Sequence, residues 1–551
     1  MKGSFKRLSA LMLCLVMVLV GCSSGATSSS VAPASSTAPA SSGTASEAPA
    51  EDVKISEKER VVSVMMSDSP SQPVQNYALA QQAIFEETNI KLDYQIVPAS
   101  NYGEKKAALL ATNNIPEITF VNAQDLTQYA TTGVFLNLTN YIDTMPNFKG
   151  FWDSIPDMKK ASVGGDLFAF QMVARNETAN GFGPVIRTDL LEKHNLPIPT
   201  TFDELLDVLE ALKKEYPESR PYALRNGNRM QHLRTSAFML GSGYDSQANP
   251  IYFDPDVDGG RYVFGPATQE FKTVLQFFAD AYARGILDPD YATATAEQFQ
   301  SRLTSGESFF FNDNSGFSID YTNNLQKVIP EGTLEFIPYL TNSYGQRRAM
   351  AYATTLNDRF YALRADVKDP DTLIAFMDWM YSPRGSDISN YGMEGTSFEY
   401  NAEGKPEFMQ SYVDKFLDQS PVYYALFSEA GITKLNFCLH AGNTEQSFEI
   451  QKKSGVWNDF ADKYWAAAAD ENDPATGALI QPVTAPSLSE EDAERSKTIL
   501  LELTTYLEQE YDKYIMGRES IDNWDKVIDR AIELGAKELE DIYNNANAAY
   551  N

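Results

Sequence analysis

Two rhythms of apolar and polar positions run along this chain from about residue 57 onward. Residues 61–66 form a short apolar run of strand length, and residues 76–88 repeat with helical spacing. In residues 91–97, Leu92, Tyr94 and Ile96 alternate with polar neighbours, the pattern of a half-buried strand. Asn101 followed by Glu104 has the spacing of a capping box and predicts a helix over 101–113, and residues 117–121 read as a third strand. This order implies βαβ units and a largely parallel sheet. Ligands of such sheets sit beyond the carboxyl ends of the strands. Here those ends are the polar stretches at 67–69, 98–100 and 122–124.

Farther along, Thr201 with Glu204 three residues on predicts a capped helix. Phe202, Leu205, Leu206, Leu209 and Leu212 form its apolar stripe, and Pro217 ends it. Long helices are also expected at 268–284, 371–381, 489–515 and 521–545, the last breaking at Gly535. The stretches 254–260 and 401–404 have hairpin-turn composition. With 551 residues the chain exceeds what one core supports, so two large lobes are expected.

The N-terminus changes the picture. Lys2, Lys6 and Arg7 precede an apolar run over 8–20, too short to span a bilayer and suited to a secretory signal. It closes on Leu19-Val20-Gly21-Cys22, which resembles a bacterial lipobox. Cys22 is thus expected to carry lipid, each buried methylene contributing about 0.8 kcal/mol to membrane attachment. Residues 23–50 are almost entirely Ser, Ala, Thr, Pro and Gly, with Glu47 their only charge. They lack the apolar side chains to offset ordering entropy, so a disordered tether is expected.

A net charge of −30 argues against nucleic acid and against electrostatic attachment to anionic lipid. Cys438 is the only cysteine beyond Cys22, which excludes a disulfide framework and suits a small buried hydrophobe between Phe437 and Leu439.

Several stretches resemble a known family. Residues 109–118 are similar to "LASGDxPDI". Gly133-Val134-Phe135-Leu136-Asn137-Leu138 with Tyr141-Ile142 resembles "GxFxxLxxYI", and residues 164–169 resemble "DGKxYAxP". Residues 186–201 are similar to "xRxDWLxKLGLxxPxTxDE", the most distinctive match. Residues 285–290 resemble "EGLIDPE", and 378–395 resemble "DYLYSEEGxxxxxYGIEG". In this order behind a lipobox, they resemble the extracytoplasmic solute-binding lipoproteins of bacterial ABC importers, in the carbohydrate-associated group. Gln171 and Met172 depart from the family's proline and apolar residue, and Leu190 from its tryptophan.

The resemblance implies an α/β, two-lobe periplasmic-binding-protein-like fold of type II, with hinge crossovers and a helical C-terminal region. The expected division is a signal over 1–21 and a tether over 22–56. Lobe one then comprises 57–174 with 316–395, and lobe two 175–315 with 396–551. The implied function is capture of a carbohydrate, expected to be an oligosaccharide and in one variant acidic, for delivery to ABC permease subunits. No cofactor is expected.

Sugar recognition uses planar polar groups for hydroxyls and aromatic faces for the ring. Candidates at strand ends and crossovers are Asp68, Asn122, Gln171, Arg175, Asn312, Asn314 and Tyr321; turn capping is the competing role for the acids and amides. An arginine-rich stretch over 220–234 adds Asn226, Arg229 and His232, with a bidentate clamp on a uronate weighed against surface ion pairing. Trp457 and Trp465 are the stacking candidates, whereas Trp379 and Trp524 suit the core.

Asp254-x-Asp256-x-Asp258-Gly259 imitates the opening of an EF-hand loop, but its twelfth position is Gly265, which favours a polar hairpin turn. His194, His232 and His440 are isolated, so no zinc motif is expected. A secreted glycosidase needs only two carboxylates about 5–10 Å apart and is the rival reading from another class. Peptide capture by the same architecture is the second rival.

Overall fold

The computed structural model describes residues 54–550, apart from 69–72, 176–181, 226–230, 245–248, 351–355, 420–421, 434–435, 443, 456, 458, 472, 474–476 and 481–482. Cys22 and the tether lie outside the described residues.

The expected βαβ start is present. Strand β1 (Arg60–Asp68) pairs in parallel with β2 (Ile90–Pro98) and with β3 (Ile118–Val121). Helices Leu79–Thr88 and Ala99–Ala111 connect them. The second helix begins earlier than its capping-box pattern suggests: it follows Pro98, and Asn101 lies inside its first turn. The sheet continues through β11 (Leu356–Leu363), antiparallel to β3 and to β4 (Ala169–Ala174), and ends on β14 (His440–Ala441). Val62, Val64, Phe170, Tyr361 and Leu373 share the core packed on this sheet.

A second core forms around a three-stranded antiparallel sheet, with β5 (Phe182–Ile186) between β8 (Phe310–Asn314) and β9 (Glu335–Phe336). Thr201 Oγ accepts the Glu204 amide as the sequence pattern requires, and the stripe of helix Phe202–Glu215 is buried in this core. Each such buried leucine contributes roughly 1.5–3 kcal/mol. Helices Glu490–Ile515, Trp524–Glu533 and Ala536–Ala548 complete this lobe, with Gly535 at φ +104° supplying the expected break. Trp524 is fully buried there and donates to the Pro266 carbonyl at 2.9 Å. Three two-stranded pairs accompany the sheets: β6 (Ile251–Asp254) with β7 (Arg261–Phe264), β10 (Ala349–Met350) with β15 (Leu479–Ile480), and β12 (Phe398–Tyr400) with β13 (Pro406–Phe408).

The chain changes core at different places from the expected division. Phe317, Tyr321, Leu325 and Leu334 belong to the second core, so lobe two continues past 315 to β10. The reason is local: Phe317 stacks on Tyr321, which packs against Phe299 and Phe311. Conversely, Phe398, Phe408, Tyr423, Phe427 and Leu439 lie in the first core, so lobe one extends past 395 to β14. The crossings therefore run from β4 to β5, from β10 to β11, and from β14 to helix Asp459–Glu471. Helix Thr444–Lys453 straddles the boundary, with Phe448 in the second core and Ile450 in the first.

Buried polar groups fasten the helices to these cores. Asp378 accepts from the Phe148 amide at 2.9 Å and from Asn147 Nδ2 at 2.8 Å, capping helix Pro146–Ser154 from a distant segment. Asp378→Ala is expected to lower stability by about 1–3 kcal/mol, because two donors lose their acceptor. Urea unfolding of the variant beside the wild type measures it.

Candidate functional site

The crossings from β4 and from β14 leave the first lobe side by side. The Arg175 amide donates to the Ala441 carbonyl at 2.8 Å, and the Gly442 amide donates to Asn390 Oδ1 at 2.7 Å. A Cβ on Gly442 would stand 3.4 Å from the Arg175 carbonyl oxygen, so the two crossings run in van der Waals contact. The Arg175 guanidinium is held by Asp387 at 2.7 Å and by Ser386 Oγ at 3.0 Å.

Groups of the two lobes also come within electrostatic reach of each other. Asp320, on helix Phe317–Leu325 of the second lobe, is near enough to Tyr423 of the first lobe for its charge to help raise the phenol. Asp320 is partly exposed yet crowded by protein, and this desolvation raises its carboxyl. It has no ion-pair or hydrogen-bond partner among the described residues. Tyr423 and Tyr424 present adjacent rings, their centroids 4.9 Å apart. Gln446 lies beside Gly442, and neither its Oε1 nor its Nε2, both buried, has a partner among the described residues. An unsatisfied buried amide at a crossing is a natural partner for a polar ligand. Sequence reasoning missed Asp320, Tyr423, Tyr424 and Gln446; the Tyr423-Tyr424 doublet after Pro421 was the only available signal.

The sequence-predicted residues separate into several environments. Asp68 accepts the Val74 amide at 2.8 Å, and Asn122 caps helix Ala123–Tyr129 by accepting from Asp125, so both serve turns. Gln171 is buried within β4, next to the Tyr381 hydroxyl that its carbonyl accepts at 2.5 Å. Asn312 Nδ2 donates to the Thr235 carbonyl and to Ser236 Oγ inside the second lobe. Asn314 Oδ1 accepts the Gly316 amide, shaping the turn after β8. Tyr321 is a buried core ring.

Asn226 and Arg229 lie outside the described residues. In the same arginine-rich stretch, Arg225 makes a bidentate pair with Asp313 at 2.8 and 2.9 Å, and Arg220 meets Asp288 at 3.0 Å, Asp290 at 2.5 Å and Glu307 at 3.0 Å. Those two guanidiniums have internal carboxylates, the ion-pairing role weighed against a uronate clamp. His232 is a core residue edge-on to Phe278 and Tyr291, with its Nε2 unpartnered among the described residues, rather than a ligand group.

Trp457 is half-buried, donates Nε1 to Asp462 at 2.7 Å and stands edge-on to Phe448. Trp465 is buried against Phe448 and Tyr464, which leaves it little ring face for stacking on a ligand. Cys438 is buried and its thiol is pushed up to about 11 by desolvation, so it stays protonated and inert at neutral pH. Among the described residues no group of three or more His, Cys, Asp and Glu is placed to hold a metal ion.

Burial lowers His232 to about 4 from 6.5, so the unfolded chain binds its proton first on acidification. Its contribution is complete above pH 6.5 and is lost as pH falls toward 4, about 3 kcal/mol in all. Glu449, pushed up to about 7 by burial, opposes this trend over the same range. The His232 part is therefore read as a difference. Relative to His232→Gln, the wild type is expected to lose about 3 kcal/mol between pH 7 and pH 4 in urea unfolding.

The family model described as bacterial extracellular solute-binding protein matches residues 68–387. The chain is 21% identical over 395 residues to lipoprotein LipO of Bacillus subtilis (strain 168), covering 70% of this chain and 72% of LipO. It is 24% identical over 323 residues to the polygalacturonan/rhamnogalacturonan-binding protein YtcQ of the same organism, covering 56% of this chain and 61% of YtcQ. In fold it is similar to alginate-binding protein AlgQ2, solved without calcium ion, with a TM-score of 0.68 and 21% identity over 90% of this chain and 99% of that one. The two-lobe α/β architecture is thus the type II solute-binding fold, and no helix among the described residues is long and apolar enough to cross a membrane. The chain belongs to the bacterial extracellular solute-binding protein family.

Proposed function

We propose that this chain is a lipid-anchored, extracytoplasmic receptor that captures an oligosaccharide between its lobes and passes it intact to the permease of an ABC importer. The observation that carries this reading is the opposition of Asp320 on one lobe to the Tyr423–Tyr424 rings on the other. A carboxylate without a partner among the described residues accepts sugar hydroxyls, and the half-buried Tyr424 ring beside Tyr423 offers a face for the apolar side of a pyranose or furanose. A ligand touching both walls stabilises the closed arrangement by its differential contacts, and a permease then reads that arrangement. Cys22 supplies the anchor, and the Ser/Ala/Thr/Pro segment behind it gives the lobes reach.

The charge pattern favours a neutral sugar. Arg175, Arg220 and Arg225 already hold carboxylates, whereas Asp320 meets no cation among the described residues and repels a uronate. An acidic oligosaccharide is the second reading, favoured by the polygalacturonan named for YtcQ and the alginate named for AlgQ2.

Thermal-shift measurements and small-angle scattering with neutral and uronic oligosaccharides test both readings. A raised midpoint and a more compact particle are expected with a neutral glycan, recovered chemically unaltered by mass spectrometry. Cleavage of the glycan supports a glycosidase, and a response to peptides alone supports peptide capture. Tyr424→Ala is expected to weaken binding about 10- to 100-fold through loss of a ring face, measured by calorimetry. Cys22→Ala is expected to move the protein from the membrane fraction to the medium, read by immunoblot of fractionated cells.

A further inference from the structure

The acidic hairpin between β6 and β7 has the ligand spacing that opens a calcium loop, at Asp254, Asp256 and Asp258. Its residues do not fit that ion. The twelfth position, where a calcium loop needs a bidentate carboxylate, is Gly265. A Cβ there would stand 2.1 Å from the Gly243 carbonyl oxygen, so the backbone leaves no room for any side chain.

A cation from elsewhere in the chain already meets the loop. Arg348 is buried, and its Nη1 lies 3.4 Å from Asp254 Oδ1 and 3.0 Å from Asp256 Oδ2. Its Nε donates to the Phe238 carbonyl at 2.9 Å, and its guanidinium carbon stands 4.1 Å from the Phe238 ring centroid. Asp254 also accepts from the Tyr252 hydroxyl at 2.6 Å and the Asp256 amide at 3.0 Å, so both of its oxygens are already engaged within the protein.

We propose that Arg348 is the resident counter-cation of this hairpin, so that the hairpin is ordered without calcium. The substitution has a mechanical consequence. Calcium would tie the loop to itself, whereas Arg348 immediately precedes β10, the strand that leads into the crossing toward β11. The arginine therefore fastens the hairpin to a strand entering the hinge. A planar guanidinium suits this work, because it bonds two carboxylates and a carbonyl while lying on an aromatic face.

Melting of the full chain in mild detergent, with excess EGTA or millimolar calcium chloride, tests the proposal. The wild-type midpoint is expected to agree within about 1 °C in the two, because ligand that binds only the folded state would raise it by several degrees. Arg348→Met is expected to melt roughly 5–10 °C lower, since it strands the buried Asp254 carboxylate. Arg348→Met combined with Asp254→Asn is expected to lose less than the two single variants together. If Arg348→Met does not fold, Arg348→Lys is expected to fold with an intermediate loss and to remain indifferent to calcium. A calcium-raised wild-type midpoint that Asp254→Asn abolishes would overturn the proposal, as would an Arg348→Met chain melting like the wild type.

Discussion

Two separate hydrophobic cores, joined by crossing segments, are the constraint on which the rest of this structure depends. Each core satisfies its own apolar surface, one on the six-stranded sheet and one on the three-stranded sheet with its helices. The seam between them is consequently left to polar and aromatic groups that neither core consumes. Helix Thr444–Lys453 makes the seam a shared property, since Phe448 and Ile450 commit opposite faces of one turn to different cores. Away from the crossings, the C-terminal region reaches back to the first lobe. Ser487 and the Tyr550 hydroxyl both donate to the Lys160 carbonyl, so the lobes are hydrogen-bonded to each other there also.

Electrostatics divides along the same lines. The arginines that stand out in so acidic a sequence are largely structural: Arg225 with Asp313, Arg220 with its carboxylates, and Arg348 with the β6–β7 hairpin. Buried guanidiniums need such partners because an isolated charge is costly away from water. Asp320 is the contrasting case, a crowded carboxyl with no partner among the described residues and a tyrosine of the other lobe in its field. A receptor that must release its cargo benefits from polar groups completed by the ligand rather than by the protein.

Much of the secondary structure was legible because it rests on short-range physics. The stripe at Phe202, Leu205, Leu206, Leu209 and Leu212, the Thr201 cap and the Gly535 break need only residues a few positions apart. The Asn101–Glu104 pattern misled because Pro98 and tertiary packing started that helix earlier. The candidate site was far less legible. Asp68 and Asn122 have the right chemistry at the right strand ends, yet local backbone amides claim their side chains. His232 looked polar and available in the sequence, but rings from two other segments enclose it.

What the sequence by itself determined is the family and the two-lobe α/β class, because motif order and periodicity are properties of neighbouring residues. Only the tertiary structure decided where the chain changes lobes, which arginines are already paired, and that Asp320 faces Tyr423. Those depend on contacts between residues about a hundred positions apart, as between Arg348 and Asp254. No local pattern encodes them, since the enthalpy of such a pair is set by burial and geometry that exist only once both cores have closed.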